Sequence, residues 1–231
     1  MMLTMPEELL LIAYDDQTGK MSRPAPTYIH YGLAGAILME LTMRGCLDFQ
    51  NKKVVVVENA DAGDELFNNY LQFLKQKQKG KAKSLYHYVR ALGTYIKRHK
   101  KYLLFMERLV EQGILKREET KFLFFTKEVY PSIDAKEENA IRARLKKALR
   151  QDVKEIDEQT FTLIALLRAC RLNGLVFSKE EDRAAKHKIT EMMKNSLHGE
   201  AVSNAIQTMQ VALLAAVSSS VTATSSNTSG L

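Results

Sequence analysis

The chain has 231 residues, of which 45% are hydrophobic and only four are proline, so it is long enough to bury a core and is typical of a compact globular protein. Its formal net charge of +7 indicates an anionic partner such as phosphate, nucleic acid or an acidic membrane, unless the surface is merely basic. Because no uninterrupted run of about 18 apolar residues is present, and no basic segment leads into an apolar one, we expect neither a membrane-spanning helix nor secretion.

One strongly apolar helix dominates the first half of the chain. In residues 32–47, apolar side chains occupy almost the whole circumference at helical spacing, which is typical of a helix buried on most sides. Glu40 and Arg44 have the spacing of a helical ion pair, Gly32 and Gly35 indicate close packing, and Gly45 is suited to end the helix. The other elements predicted before residue 100 are a helix capped by Thr4, a hairpin of 46–49 with 54–57, a helix over 64–78, a basic linker over 75–83 and a helix capped by Ser84.

Further helices and a second hairpin are predicted in the rest of the chain. A helix from about Tyr102 ends at Gly113, and strands at 114–115 and 122–125 then surround a polar tip of residues 116–121. Later helices should follow the capping pairs Asp134…Glu137 and Ser178…Glu181, lie around 161–167 and span 200–217. The sequence therefore predicts an all-α fold, a mainly helical single domain over 1–217 with two small β-hairpins, and a disordered serine- and threonine-rich tail over 218–231.

No motif of a catalytic or metal site is present in the sequence. The chain lacks a G-x-S-x-G elbow, a P-loop and a G-x-G-x-x-G turn, and its five histidines are scattered without metal-ligand spacing. Cys46 and Cys170 lie in apolar helical contexts, which is typical of buried free thiols in a reducing compartment. We therefore expect a protein that is not an enzyme and has no cofactor or metal.

A run of basic residues is the stronger functional signal. It joins two predicted helices and consists of Lys97, Arg98, His99, Lys100 and Lys101. Free N–H groups at helix ends add to these charges, so anion binding here is about as well supported as an ordinary solvated face.

The apolar residues of the second hairpin form another signal. Phe122 and Phe124 fall on one side of the predicted strand, and Leu123 and Phe125 fall on the other. This apolar area predicts that at least one face lies in the core. If the other face is exposed, it is a contact surface for a membrane or a second subunit, and if both are buried it is not.

Four segments together resemble the Golgi phosphoprotein 3 family. They occur in the family's order over nearly the whole chain: the start 3–10, the pattern Gly32-Leu33…Gly35…Leu38…Glu40-Leu41…Arg44-Gly45…Leu47, the segment 109–115 and the run 122–125. The chain looks like a short, bacterial-type member without the family's basic N-terminal extension.

The resemblance implies a mostly helical fold and a peripheral role at the cytosolic face of membranes. Eukaryotic members bind phosphatidylinositol 4-phosphate at the Golgi and act as adaptors in glycosyltransferase sorting, and their apolar hairpin serves in self-association and membrane contact. Similarity places that hairpin at residues 114–125 here, with the apolar residues Ile114, Leu115, Phe122, Leu123, Phe124 and Phe125.

The family's headgroup pocket, one tryptophan with three arginines, is not retained. The corresponding positions are Ala25, Ala34, His99 and Tyr102. We therefore expect no specificity for phosphatidylinositol 4-phosphate but a different anion site near the lost positions. The candidate residues are Arg23, His30, Arg98, His99, Lys101 and Tyr102.

These observations favour a cytoplasmic, non-catalytic, peripheral membrane protein that binds anionic, phosphoinositide-like lipid headgroups and self-associates into a homo-oligomer through its hairpin. The alternative is a nucleic-acid-binding protein in which the helix before Gly113 and the hairpin after it imitate a winged helix. Glu118 and Glu119, at the predicted hairpin tip, disfavour that alternative because a wing must approach phosphate.

Overall fold

The computed structural model describes residues 3–50, 53–122, 125–150, 152–153, 156–194, 212 and 215–216. These residues form eight α-helices, two antiparallel sheets and a 3₁₀ turn (Asn173–Leu175). The helices are α1 (Met5–Ala13), α2 (Ala25–Met43), α3 (Glu65–Gln78), α4 (Leu85–Arg98), α5 (Tyr102–Glu111), α6 (Lys136–Ala148), α7 (Glu158–Ala169) and α8 (Lys179–Lys194). The strands are β1 (Leu47–Gln50), β2 (Lys53–Val56), β3 (Lys83–Ser84), β4 (Glu118–Phe122) and β5 (Phe125–Val129). The predicted fold class, mainly helical with small hairpins, is confirmed.

Helix α2 is the buried centre of the fold. Every residue from Gly32 to Leu41 is buried, and α1, α4 and α7 pack against the helix. At Gly32, an added Cβ would lie 3.1 Å from both Cys170 Sγ and Leu9 Cδ2, so a larger residue would push α1 and the end of α7 away. The predicted helix, buried on most sides and closely packed at this glycine, is confirmed.

The Glu40 carboxylate joins α2 to its neighbours. Its Oε2 accepts a hydrogen bond from the backbone N–H of Met5, 3.0 Å away, at the start of α1. Its Oε1 lies 3.0 Å from Arg44 Nη2, which confirms the predicted pair, and Arg44 Nη1 donates to the carbonyl oxygen of Ala62 at 2.7 Å. Because Glu40 is buried, these partners compensate for the lost hydration of its charge.

A second buried ion pair connects three helices. Arg108 of α5 places Nε 3.1 Å from Glu7 Oε1 of α1 and Nη1 2.9 Å from Asp64 Oδ2, at the N-cap of α3. Glu7 is fully buried, so removal of the guanidinium would leave its charge in the core with only the hydrogen bonds from the backbone N–H and hydroxyl of Thr4. This contact fixes the position of α5 relative to α1 and α3. It therefore also fixes the position of residues 97–101, which precede α5.

Three of the four predicted helix caps are present. Capping boxes are present at Thr4 and Ser178, and Ser84 Oγ accepts from the backbone N–H of His87. The predicted box Asp134…Glu137 is wrong. Ala135 in the left-handed region precedes α6, and Asp134 only accepts from the N–H of Lys136, because this turn places the N-cap one residue later than the sequence pattern suggests.

The first sheet contains the predicted hairpin and one additional strand. β1 and β2 are antiparallel, with Leu47 opposite Val56, and β3 pairs with β2. No pattern in the sequence predicts β3, because its two residues lie at the end of a lysine-rich segment without apolar alternation. That segment is also not a simple linker, since α3 continues to Gln78.

The second hairpin has a different register from the predicted one. β4 and β5 pair with Phe122 opposite Phe125, so the polar residues predicted as the tip form a strand and the apolar run lies at the turn. Side chains 118–121 and 126–128 are exposed, so main-chain pairing and a two-residue connection hold this ribbon rather than burial of an apolar face. Ile114 and Leu115 are not strand residues of the ribbon: Leu115 is buried and bridges to Ser132.

The base of the β4–β5 ribbon is fixed to the loop between α1 and α2. The N–H of Tyr130 donates to the carbonyl oxygen of Gly19 at 2.9 Å, and the N–H of Ser132 donates to that of Asp16 at 2.8 Å. Gly19 has φ +61°, and a Cβ there would lie 2.2 Å from the backbone nitrogen of Pro131. Both its conformation and its close contacts therefore require glycine.

Some predictions lie outside the described residues. These are the placement of the side chains of residues 122–125 in or out of the core, most of the helix over 200–217, and the tail over 218–231; Ala212, Ala215 and Ala216 are helical. Among the helices within the described ranges, none is long and apolar enough to cross a bilayer. Cys46 and Cys170 are both buried free thiols, as predicted.

We expect Gly19→Ala to destabilise the protein strongly, by more than about 3 kcal/mol, because a left-handed alanine costs on the order of 1–2 kcal/mol and the Cβ also overlaps backbone atoms. The matched control is Gly80→Ala, where φ is +73° but no atom lies within 4 Å of the added Cβ. Urea unfolding measures both variants. Equal losses of unfolding free energy would show that the contact with residues 130 and 131 does not matter.

Candidate anion-binding and membrane-contact site

The predicted basic run forms the junction between α4 and α5, which we call the basic junction (residues 97–101). Helix α4 ends in a Schellman motif: the N–H of Lys101 donates to the carbonyl oxygen of Ile96 at 3.0 Å, and the N–H of Lys100 donates to that of Lys97 at 3.5 Å. Lys100 occupies the left-handed position of this motif with φ 49°. The chain therefore reverses direction within four residues, which concentrates the basic side chains at one corner.

The charges of the basic junction are not neutralised within the described part of the chain. Lys97, Arg98, His99 and Lys100 are exposed and Lys101 is half-buried. None of the salt bridges between described residues involves this run. An anion that approached this corner would therefore meet four formal positive charges without displacing an acidic partner.

The basic residues of α6 behave differently. Arg144 Nη2 lies 2.6 Å from Glu8 Oε2, Arg150 pairs with Asp152, and Lys146 lies 3.5 Å from Glu181. This second group of positive charges thus stabilises the packing of α6 or is locally paired. The contrast distinguishes the basic junction from basic surface in general.

His30 does not belong to a surface anion site. The side chain is 6% exposed and packs against the ring of Tyr31, with 4.2 Å between the ring centroids. Burial, with a smaller effect of the nearby Lys97 charge, lowers its pKa from 6.5 to about 4. The imidazole is therefore neutral near pH 7, and the prediction that it contributes to anion binding is corrected, because sequence spacing does not reveal that it points into the core.

The remaining predicted residues occupy two places. Arg23 is exposed just before α2, and no hydrogen bond or salt bridge among the described residues connects it to the basic junction. Tyr102 is half-buried at the start of α5, and burial together with Glu128 raises its pKa. Since Glu128 belongs to β5, the basic junction and the ribbon are neighbours on the surface.

The four positions that correspond to the lost pocket are also divided. Ala25 and Ala34 are both fully buried in the core, whereas His99 is exposed and Tyr102 is half-buried. The exposed part of this region therefore consists of the basic junction, not of α2. In this chain, the surface that can meet an anion is shifted towards the end of α4.

The arrangement of α5 does not resemble a DNA-reading helix. Its exposed charges, Glu107 and Glu111, are negative, and Arg108 is already paired with Glu7 and Asp64. The sequence predicted Glu118 and Glu119 at the tip of the hairpin, and this is wrong. They lie near the base of the ribbon, opposite Val129 and Glu128, respectively. Helix α5 therefore presents acidic groups where a DNA-reading helix needs basic ones, whereas the charged residues of the ribbon nearest its turn are Lys121 and Lys127.

Sequence reasoning missed a basic cleft between α3 and α4. The cleft contains Lys77 and Arg90 in addition to Arg98 and His99. The signal was present in the spacing, since residues 87, 90, 94 and 98 share one face of a helix. Nothing in the sequence, however, indicated that α3 would supply the facing wall.

Comparison with known proteins agrees with the features above. The family model described as Golgi phosphoprotein 3 (GPP34) matches residues 5–209. The chain is also similar to vacuolar protein sorting-associated protein 74 of Schizosaccharomyces pombe, with 29% identity over 173 residues. This match covers 67% of the present chain and 50% of the yeast protein, so the chain spans about half the length of that relative.

The lowered pKa of His30 predicts a pH-dependent stability. Between pH 6.5 and 4 the side chain of His30 is protonated in the unfolded chain and neutral in the folded chain. Its contribution to the free energy of unfolding is therefore complete above pH 6.5 and is lost as the pH falls towards 4. The full loss should be about 3 kcal/mol, at roughly 1.4 kcal/mol per pKa unit. Urea unfolding of wild type and His30→Leu over this pH range measures it.

The His30→Leu variant should lack this part of the slope, whereas the surface substitution His99→Gln leaves His30 in place and should keep it. Identical pH profiles for wild type and His30→Leu would contradict the assignment of a buried neutral imidazole.

Proposed function

Because the chain belongs to the Golgi phosphoprotein 3 family, we propose that it is a non-catalytic, peripheral membrane protein that binds anionic lipid headgroups. The observation that carries the proposal is the basic junction, whose charges have no acidic partner among the described residues. The name of the yeast relative, a vacuolar protein sorting-associated protein, supports a role at membranes and, with it, an adaptor function. The proposed location is the cytoplasmic face of a membrane.

The basic junction supplies the electrostatic part of the proposed attraction. A basic residue close to an acidic bilayer contributes on the order of 1 kcal/mol, so four such residues give several kcal/mol at low salt. The side chains are a mixture of lysines and one arginine without a fixed fork of donors. Such a surface responds mainly to total charge and does not select one phosphate position.

The β4–β5 ribbon supplies the apolar part of the proposal. Side chains 118–121 and 126–128 are exposed, and the sequence that joins these two segments is Phe122-Leu123-Phe124-Phe125. Removal of one such side chain from water stabilises the bound state by roughly 1.5–3 kcal/mol. Burial and, after it, Glu128 at the ribbon base raise the pKa of Tyr102, which follows the basic junction. The ribbon base therefore lies near the junction, and in the proposal both contacts lie on one side of the protein.

Self-association through the same apolar turn is a further part of the proposal. Two turns that pack against each other would bury only a small area, and association costs translational and rotational freedom. The proposed homo-oligomer is therefore weak and concentration-dependent in solution. On a membrane, where the protein is concentrated, the turn can contact either the bilayer or a second copy.

The basic junction is tested by the double substitution Arg98→Ala and Lys101→Ala. We expect co-sedimentation with phosphatidylserine vesicles to weaken roughly tenfold or more, because each charge contributes about 1 kcal/mol. The matched control is Lys147→Ala with Arg183→Ala, which removes two exposed charges from α6 and α8. Equal weakening in both variants, or none in the first, would remove the basic junction from the proposal.

The same assay tests headgroup selectivity. Vesicles with phosphatidylinositol 4-phosphate should bind no better than phosphatidylserine vesicles of equal charge, because the basic junction responds mainly to total charge. A clear preference for the 4-phosphate would show that His99 and Tyr102 replace the family's arginines functionally.

The apolar turn is tested by Leu123→Asn with Phe124→Gly. Asn-Gly is favoured in a two-residue hairpin connection, so the ribbon should be retained while two apolar side chains are removed. We expect weaker vesicle binding and a shift of sedimentation velocity towards monomer, with an unchanged thermal transition. A folded variant with wild-type vesicle binding and oligomeric state would exclude the turn as a contact surface.

A further inference from the structure

A cleft of about 660 Å³ lies between α3 and α4, beside the basic junction. Helix α3 contributes Phe73 and Lys77, and α4 contributes His87, Arg90 and Arg98. None of the described residues that line it is acidic. The lining therefore combines three formal positive charges with aromatic walls in a concave space.

The spacing along α4 determines the size of ligand that fits. Arg90 and Arg98 lie on one helical face, and eight residues of α-helix rise about 12 Å. A single phosphate would engage one end of this row of side chains. A ligand with two or more linked phosphates could engage Lys77 together with both arginines, so the cleft matches an extended polyanion better than a simple one.

The cations of the cleft are held by aromatic contacts. Arg90 lies over the ring of Tyr86, 5.6 Å from its centroid, and Lys77 lies 5.4 Å from the centroid of Phe73. Neither takes part in a salt bridge between described residues. The contacts restrict where the charged groups lie and leave their N–H donors without a carboxylate.

The aromatic residues are not arranged for nucleobases. Phe73 and Tyr95 stack on each other with 4.6 Å between their centroids, and Lys77 and Lys101 lie over Phe73 and Tyr95, respectively. A base would have to displace a lysine in order to stack, whereas a phosphate would meet the lysines where they are. Partial desolvation, followed by Lys83 and Lys77, lowers the pKa of His87, as expected in a positive local potential.

We propose that this cleft is a second anion site, distinct from the membrane-contact surface, that binds a ligand with several linked phosphate groups. Lys77 and Arg90 are its specific residues, and Arg98 lies where the cleft meets the basic junction. The ligand is a soluble polyphosphate ester or a multiply phosphorylated lipid headgroup. These two sources share the same recognition chemistry and are separated by experiment.

Calorimetric titration with tripolyphosphate and with inorganic phosphate tests the site. The wild-type protein should bind one tripolyphosphate saturably and at least about tenfold more tightly than phosphate. The double substitution Lys77→Gln with Arg90→Gln should weaken the affinity for tripolyphosphate by about tenfold or more. The control pair Lys147→Gln with Arg183→Gln, which removes the same charge elsewhere, should change the affinity less than about twofold. Both pairs are exposed, and their thermal transitions check folding.

Vesicle co-sedimentation then identifies the source of the ligand. If Lys77→Gln with Arg90→Gln loses only the preference for phosphatidylinositol 4,5-bisphosphate over phosphatidylserine at equal charge, the site takes a lipid headgroup. If it binds both kinds of vesicle like wild type, the ligand is soluble. Three results would overturn the separate site: loss of phosphatidylserine binding by Lys77→Gln with Arg90→Gln, equal weakening of tripolyphosphate binding in both pairs, or no saturable binding of tripolyphosphate to the wild-type protein. Each of these results is independent of the outcome for Arg98→Ala with Lys101→Ala, which tests the basic junction.

Discussion

Close packing around α2 is the constraint on which the rest of the structure depends. On one side Gly32 brings α2 against Leu9 and Cys170, and on another Gly93 of α4 allows the ring of Tyr31 to approach within 2.6 Å of where a Cβ would be. Because α4 is held this closely to the buried helix, the position of its C-terminal end is fixed, and the basic residues that follow are presented at one corner. The candidate surface is therefore a consequence of core packing and not of loop conformation.

Much of the fold could be predicted from the sequence because its signals are local. The all-round apolar pattern of α2, the Thr4 and Ser178 capping boxes and the end of the helix at Gly45 each depend on residues within a few positions. The register of β4 and β5 could not be predicted in this way. Residues 118–121 and 126–128 are polar and exposed, so they lack the apolar alternation that normally indicates a strand. β3 likewise exists only because β2 offers it an edge.

The candidate site was predictable only in part, for a related reason. The run of charges from Lys97 to Lys101 is contiguous in sequence, so it could be recognised without the structure. The packing of separate helices decides whether His30 points inwards and whether Lys77 faces Arg90. The spacing of residues within one helix does not reveal that packing. Burial then decides the chemistry: the same imidazole that would bind an anion at the surface is neutral in the core. The paired arginines of α6, Arg142 and Arg144, show that basic composition alone does not mark a site.

The account joins two neighbouring features, the basic junction and the apolar turn of the ribbon, into one proposed membrane-contact surface. Amide hydrogen exchange with mass spectrometry, on the wild-type protein with and without anionic vesicles, tests this joint surface most directly, because it reads every segment at once without substitutions. The account predicts slower exchange on vesicles in peptides over 97–103 and 120–127, with α6 and α8 unchanged. Slower exchange in α6 or α8, with neither of these two segments affected, would contradict it.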